Sequence, residues 1–332
     1  TKAIIDLIDN DCISEIREPA YCCNPLTVAE KNGKLRLVLD CRGINELLIE
    51  RKFKYEGIST VSQIMEPEFY FATFDLKSGY HHISIAPEDQ KFLGFSWVFP
   101  NGVQRYFKFK VLPFGLASAC YVFTKLMRPL IKRWRGLGIR SVVYLDDGIL
   151  GDKNKDCLEK SISIVKNDLD QAGLTINEEK SHLNPSKSCA WLGFIISSET
   201  FKFFVPEKKI SALKKLLSSF ILRQRGSARE ISRVAGMIIS MKPAIGSISQ
   251  ILTRHLFFFI NEKPTWDRQH DLNNEVCEEL LFWFNNLDFY NGHKIRTNNS
   301  ITKVVFFRCQ RKGQFHYRKT RQYRGKGQFQ LF

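Results

Sequence analysis

No apolar run in this sequence approaches the roughly 18 residues that a membrane-spanning helix needs. The greasiest stretch, Phe257–Ile260, is short and flanked by Arg254, His255 and Glu262, so no membrane is expected among the partners. The text opens Thr1-Lys2-Ala3-Ile4-Ile5-Asp6, with neither the apolar block nor the small-residue cleavage site of a signal peptide. Its nine cysteines are odd in number and scattered, with one adjacent pair, Cys22-Cys23, and no CxxC or Cys/His ladder. Disulfides and zinc are therefore not expected, and an intracellular location, cytoplasm or nucleus, is. Acidic residues also run out: none follows Asp288, while eleven Lys and Arg do. That stretch carries most of the net charge of +16, leaving about +5 for the body, a weak pointer to a polyanionic partner.

What is present argues for a folded chain. Its 332 residues are 44% hydrophobic and include 27 Phe, enough to bury a core of two or three subdomains. From Pro25 to Asp40 two short strands are expected around Glu30-Lys31-Asn32-Gly33-Lys34, with Asn-Gly supplying tight-turn chemistry. Phe69–Leu76 is β-branched and aromatic and reads as a buried strand with Phe71, Thr73 and Asp75 on one face. Pro113-Phe114-Gly115 breaks the chain before a helix expected from about Ser118 to Leu130. Ser141–Leu145 and Ile149–Gly151 are apolar arms around Asp146-Asp147-Gly148, a hairpin with both acids at its tip. Leu158, Ile162, Val165, Leu169 and Ala172 keep helical spacing until Gly173 closes the helix. Two more helices are expected after Pro206, the second opened by the capping box Ser227-Ala228-Arg229-Glu230.

Asp75, Asp146 and Asp147 stand out because each is embedded in greasy sequence. Brought together, three carboxylates would repel and resist ionisation unless divalent cations neutralised them, and hard oxygen ligands suit Mg²⁺ or Mn²⁺. Such a cluster points to two-metal phosphoryl transfer. Asp-Asp-Gly alone is more often an ordinary turn.

Tyr144-Leu145-Asp146-Asp147 resembles the Tyr-x-Asp-Asp motif of reverse transcriptases, and five further blocks follow that family's order over roughly residues 10 to 290. The resemblance implies an α+β right-hand polymerase, with fingers and palm interleaved over 1–200, a helical thumb over 201–260, a connection-like segment over 261–300 and a basic tail over 301–332. The palm would be an antiparallel sheet backed by helices. The implied activity is RNA-directed DNA polymerisation: extension of a primer 3′-hydroxyl on a template–primer duplex with deoxynucleoside triphosphates and two Mg²⁺, or Mn²⁺.

Residue by residue, Lys34-Leu35-Arg36-Leu37-Val38-Leu39-Asp40 resembles the triphosphate-binding strand, so Lys34 and Arg36 would contact phosphates unless they lie on a solvated edge. Phe74-Asp75-Leu76-Lys77-Ser78-Gly79-Tyr80 is similar to the first metal motif. It implies that Asp75 and the carbonyl of Leu76, with Asp146 and Asp147, are ligands, and that Tyr80 is the aromatic gate against a ribose 2′-hydroxyl, a core tyrosine being the alternative. Leu112-Pro113-Phe114-Gly115 resembles the template- and nucleotide-supporting block, with Phe114 and Gly115 at the nucleotide, or merely packed. Lys180 fits a position proposed to protonate the leaving pyrophosphate, or is simply exposed. Trp191-Leu192-Gly193-Phe194 is similar to the primer grip, with core packing as the alternative for Trp191. Lys208, Lys209, Lys214 and Lys215 would line a duplex groove or a solvated thumb face.

Asn24–Val28, Ser227–Gly236, Leu252–Leu256 and Phe282–Leu287 resemble the DIRS-type retrotransposons, which integrate with a tyrosine recombinase. In those elements a ribonuclease H strand follows, typically Val-Val-Phe-Ser-Asp-Ala-Ser, whereas this text reads Val304-Val305-Phe306-Phe307-Arg308-Cys309-Gln310. Codons such as TTT-TTC-AGA-TGC-CAG would encode Phe306-Phe307-Arg308-Cys309-Gln310 and, read one nucleotide later, Phe-Ser-Asp-Ala, so a frameshift near Phe307 and a disordered tail are expected, a nucleic-acid-binding tail being the rival. A catalytically inactive relic that only binds nucleic acid is the alternative to an enzyme. An RNA-dependent RNA polymerase is disfavoured by aromatic Tyr80.

Overall fold

The structure, a computed structural model, describes residues 1–31, 34–49 and 51–295. Its strands of three or more residues, in chain order, are β1 (Ile13–Ile16), β2 (Leu26–Lys31), β3 (Lys34–Leu39), β4 (Tyr70–Asp75), β5 (Gly94–Val98), β6 (Gln104–Phe109), β7 (Arg140–Tyr144), β8 (Asp147–Asp152), β9 (His182–Ser186), β10 (Ser188–Trp191), β11 (Phe194–Ser197) and β12 (Lys202–Phe204). The longer helices are α1 (Lys2–Asp9), α2 (Ile58–Ile64), α3 (Ala119–Gly136), α4 (Lys155–Gln171), α5 (Glu207–Arg223), α6 (Ala228–Ser240), α7 (Arg254–Glu262) and α8 (Asn274–Tyr290). No helix among the described residues is long and apolar enough to cross a membrane.

The central sheet is antiparallel in the order β7-β8-β4-β9. Because successive side chains alternate, β4 sends Ala72 and Phe74 to one face, where they pack with Phe123, Met127 and Trp134 of α3 and Leu158, Ile162, Val165 and Leu169 of α4. Phe71, on the other face, joins Val142, Ile149 and the apolar sides of α5, α6 and α8. An outer sheet, β1-β6-β5, and the ribbon β2-β3 build the N-terminal part around Leu39, Phe95 and Phe107.

Periodicity located α4 and α6 well. Asn154 caps α4, its side chain accepting the amides of Asp156 and Cys157, and Gly173 ends it at φ +73°. Ser227 and Glu230 form the expected reciprocal box on α6. Two boundaries differ from expectation. Helix α3 runs through Pro129 to Gly136 instead of stopping at Leu130. Packing overrides the proline: Trp134 is fully buried, its Nε1 donates to Asp168 Oδ2 at 3.0 Å, and Arg133 Nε reaches the same oxygen at 2.8 Å. The acidic hairpin turns at Leu145-Asp146, so Asp147 is not at the tip but opens β8 opposite Tyr144. Helix α8, from the segment expected to be connection-like, packs along α5 and α7. The turn Asn32-Gly33 and the tail call over 301–332 lie outside the described residues.

Candidate active site

Strand pairing builds the acidic corner. Asp75 ends β4 directly opposite Asp147 at the start of β8, and the Leu76 amide donates to the Asp146 carbonyl at 2.9 Å. Acids separated by some seventy residues thus meet at one end of the sheet, as their chemistry required. The turn between them is strained: Leu145 sits at φ +54°, a left-handed conformation that costs a leucine about 1 kcal/mol. Gly148 is obligatory beside it, because a Cβ there would stand 2.1 Å from the Phe74 ring.

The corner is electrostatically loaded. Burial first, then the charges of Asp146 and Asp75, push the Asp147 carboxyl up to about 6 even though Lys180 pulls it down. Lys180 Nζ donates to Asp75 Oδ1 at 2.9 Å, and Asp75 and Asp147 are hydrogen-bonded to each other. As they stand, no three His, Cys, Asp or Glu side chains among the described residues are arranged to hold a metal ion; the positive charge in this corner is the Lys180 ammonium. The donor set nevertheless suits hard divalent cations, since it is all oxygen and one acid, buried and beside two others, resists ionisation until a cation neutralises it.

The backbone around Asp75 is pinned by residues that the sequence reading passed over. Ser181 Oγ accepts the Asp75 amide at 3.0 Å, and the Asn177 amide donates to the Asp75 carbonyl at 2.8 Å. The Thr175 amide donates to His82 Nε2 at 3.3 Å, which makes Nδ1 the protonated nitrogen, placed 3.2 Å from the Gly79 carbonyl. Gly79 packs flat on Asp146, whose Cβ would touch an added methyl at 3.4 Å. Leu76, named as a carbonyl ligand, has its side chain buried in the core with α3 and α4.

Tyr80 is half-buried beside this corner, its ring 5.4 Å from Phe114 and 5.7 Å from Phe123. The Pro113-Phe114-Gly115 turn is locked to β3: the Leu39 amide donates to the Phe114 carbonyl, while Asn45 bridges the Gly115 carbonyl and the Ala117 amide at 2.9 and 2.8 Å. Gly115, at φ +109°, has its own reason to be glycine, since a Cβ would fall 1.9 Å from the Leu39 carbonyl oxygen. Packing on β3 is thus in itself a sufficient reason for its smallness. Lys34 and Arg36 lie on β3 paired with Lys31 and Ala29, but their side chains are outside what the structure describes. Asn45 lies five residues beyond Asp40 in a mixed polar stretch, and no local signal marked it.

The second hairpin, β10-β11, turns on Leu192 and Gly193 at φ +44° and +76°. Trp191 is core, 4% exposed, whereas Gly193 is exposed at the tip. Lys209 of α5 donates to the Gly193 carbonyl at 2.9 Å and lies over the Phe194 ring at 5.5 Å. Of the four thumb lysines, then, Lys209 and Lys214 have internal partners, Lys214 pairing with Asp288. A cationic face that the sequence did not reveal surrounds Tyr121, whose ring is flanked by Arg51 and Lys125, each 5.5 Å from its centroid.

A sheet with a carboxylate corner, flanked by a cationic ribbon and by a helical bundle, is the α+β right-hand polymerase architecture. Solved structures share it: a foamy viral protease–reverse transcriptase in complex with double-stranded DNA matches at TM-score 0.74, 18% identity, 93% of this chain and 51% of that one. The same protein with an RNA/DNA hybrid matches at 0.71, 18% identity, 90% and 37%. The family model "Reverse transcriptase (RNA-dependent DNA polymerase)" matches residues 28–196, just over half of the chain. This chain belongs to the reverse transcriptase family. It is 32% identical over 176 residues to the retrovirus-related Pol polyprotein of transposon gypsy from Drosophila melanogaster, covering 53% of this chain and 16% of that protein. It is 27% identical over 268 residues to that of transposon opus, also from Drosophila melanogaster, covering 77% and 25%. The chain therefore spans a quarter or less of the length of these relatives.

Proposed function

We propose that this chain is the RNA-directed DNA polymerase of a retrotransposon, extending a primer 3′-hydroxyl on a template–primer duplex with deoxynucleoside triphosphates. The observation that carries the reading is the pairing of Asp75 with Asp147 across β4 and β8, with Asp146 in the adjoining turn. Asp75, Asp146, Asp147 and the Leu76 carbonyl would hold two Mg²⁺, for which Mn²⁺ can stand in; when bound, these lower the pKa of the attacking hydroxyl and neutralise the leaving pyrophosphate. Lys34 and Arg36 on the β2-β3 ribbon bind the triphosphate, and the ribbon can close on that anion. Tyr80 and Phe114 form the wall of the sugar pocket, Tyr80 excluding a 2′-hydroxyl. Lys180, hydrogen-bonded to Asp75, would release its proton to the pyrophosphate.

The Leu192-Gly193 turn, with Trp191 as its buried root, seats the primer terminus, and the face around Tyr121 offers cations and an aromatic ring to a template strand. Residues 1–200 act as fingers and palm, 201–260 as thumb and 261–300 as a connection, whose helix α8 packs along the thumb helices α5 and α7. The segments that resemble DIRS-type elements support that subfamily. The test is extension of oligo(dT) on poly(rA) with dTTP and Mg²⁺. Asp146→Asn and Asp147→Asn should each cut the rate by at least about 10³-fold. Binding of the duplex without extension by the parent chain would favour the relic reading.

A further inference from the structure

Tyr80 is held at its ring and at its hydroxyl by different groups. Phe114 and Phe123 pack the ring, but the hydroxyl reaches a single sulfur: Tyr80 Oη lies 2.9 Å from Cys120 Sγ. Cys120 occupies the first turn of α3, next to the stretch that Asn45 clamps through the Ala117 amide, so its position is inherited from a rigid turn. A second phenol, Tyr55, lies near enough to Cys120 to feel it electrostatically, and its ring stands 5.0 Å from that of Tyr144, which leads into the acidic turn. Burial first, and then Cys120, raise both phenols above their usual range, which keeps them protonated and able to donate to the thiol sulfur at neutral pH. The thiol thus anchors the Tyr80 hydroxyl at the root of α3.

We propose that Cys120 is a positioning residue that determines sugar specificity: by anchoring the Tyr80 hydroxyl it fixes the ring's tilt, and selection of deoxynucleotides over ribonucleotides depends on that anchor. This rests on the reading of Tyr80 as the wall facing the sugar 2′ position. A ring free to tilt yields space; a ring held at both ends does not. The residue touches neither nucleotide nor metal and acts only through Tyr80.

The test measures binding of dTTP and UTP to the full chain on poly(rA)/oligo(dT) ended by a dideoxynucleotide, so that no chemistry is needed, and takes the ratio of the two affinities. Tyr80→Val should lower that ratio by about 10²-fold. Cys120→Ala and the similarly sized Cys120→Val should lower it about tenfold, whereas Cys120→Ser, which keeps a polar anchor, should stay within about twofold of the parent. Tyr80→Phe, which keeps the ring and removes the anchored hydroxyl, should match Cys120→Ala, and the double variant should be no worse than either, the mark of a shared interaction. An unchanged ratio in Cys120→Ala, Cys120→Val and Tyr80→Phe, with Tyr80→Val lowering it, overturns the role of Cys120 alone. If Tyr80→Val also leaves the ratio unchanged, the reading of Tyr80 as the sugar wall falls and this inference with it.

Discussion

Two hairpins in this molecule share a geometry and differ in charge. Both turn in two residues, and both force a leucine into left-handed backbone, Leu145 at φ +54° and Leu192 at φ +44°. In the first, burial and two neighbouring acids raise Asp147 until it holds its proton to about pH 6. In the second, the exposed Gly193 carbonyl receives the ammonium of Lys209. Strain at a turn is common to both, so it marks position and not chemistry. The balance of charge separates a corner that calls for cations from one already supplied with its own.

The comparison can be broken most forcefully at Gly193. At φ +76°, and with Lys209 Nζ 2.4 Å from an added Cβ, Gly193→Ala should destabilise the fold by about 1–2 kcal/mol, read as a lower urea midpoint, and should weaken primer extension. Unchanged stability would mean that the turn is not held as described. A smaller effect sharpens the acidic side. Asp147 is raised from 3.8 to about 6, so the folded chain binds this proton more tightly than the unfolded chain. The stability it contributes is complete below the unfolded value and is lost as pH rises through about 6. Asp147→Asn, neutral throughout, should then be more stable than the parent at pH 7.5 by about 1 kcal/mol after allowance for solvent screening, and equal to it near pH 4. A stability difference that does not vary with pH would show that the Asp147 carboxyl is not raised by its burial and its acidic neighbours. Smallest is Lys209→Met, expected to cost about 0.5 kcal/mol, because the exposed bond competes with water; a cost above that of Gly193→Ala would reverse the ranking.

The same contrast explains what the sequence made legible. Asp75, Asp146 and Asp147 could be singled out because charge inside greasy strands is anomalous on its face, and Ser227–Glu230 could because a capping box is local. Strand pairing then joined Asp75 to Asp147, which periodicity alone does not specify. Asn45, Ser181, Cys120 and Lys209 carry no local anomaly: each matters through a partner far along the chain, Asn45 through Gly115 and Cys120 through Tyr80. Helix α3 was expected to end near Leu130, where its apolar spacing runs out, whereas the buried Trp134 and its bond to Asp168 carry it to Gly136.

The central claim is that Asp75, Asp146 and Asp147 form one cation site. It is tested most directly by Mn²⁺ titration followed by electron paramagnetic resonance, on the full chain with template–primer and dTTP on a dideoxy-ended primer. The account predicts two bound Mn²⁺ per chain, close enough to broaden each other's signal, and loss of that coupled pair in Asp75→Asn. Equal Mn²⁺ uptake and the same coupled signal in Asp75→Asn and the parent would contradict it.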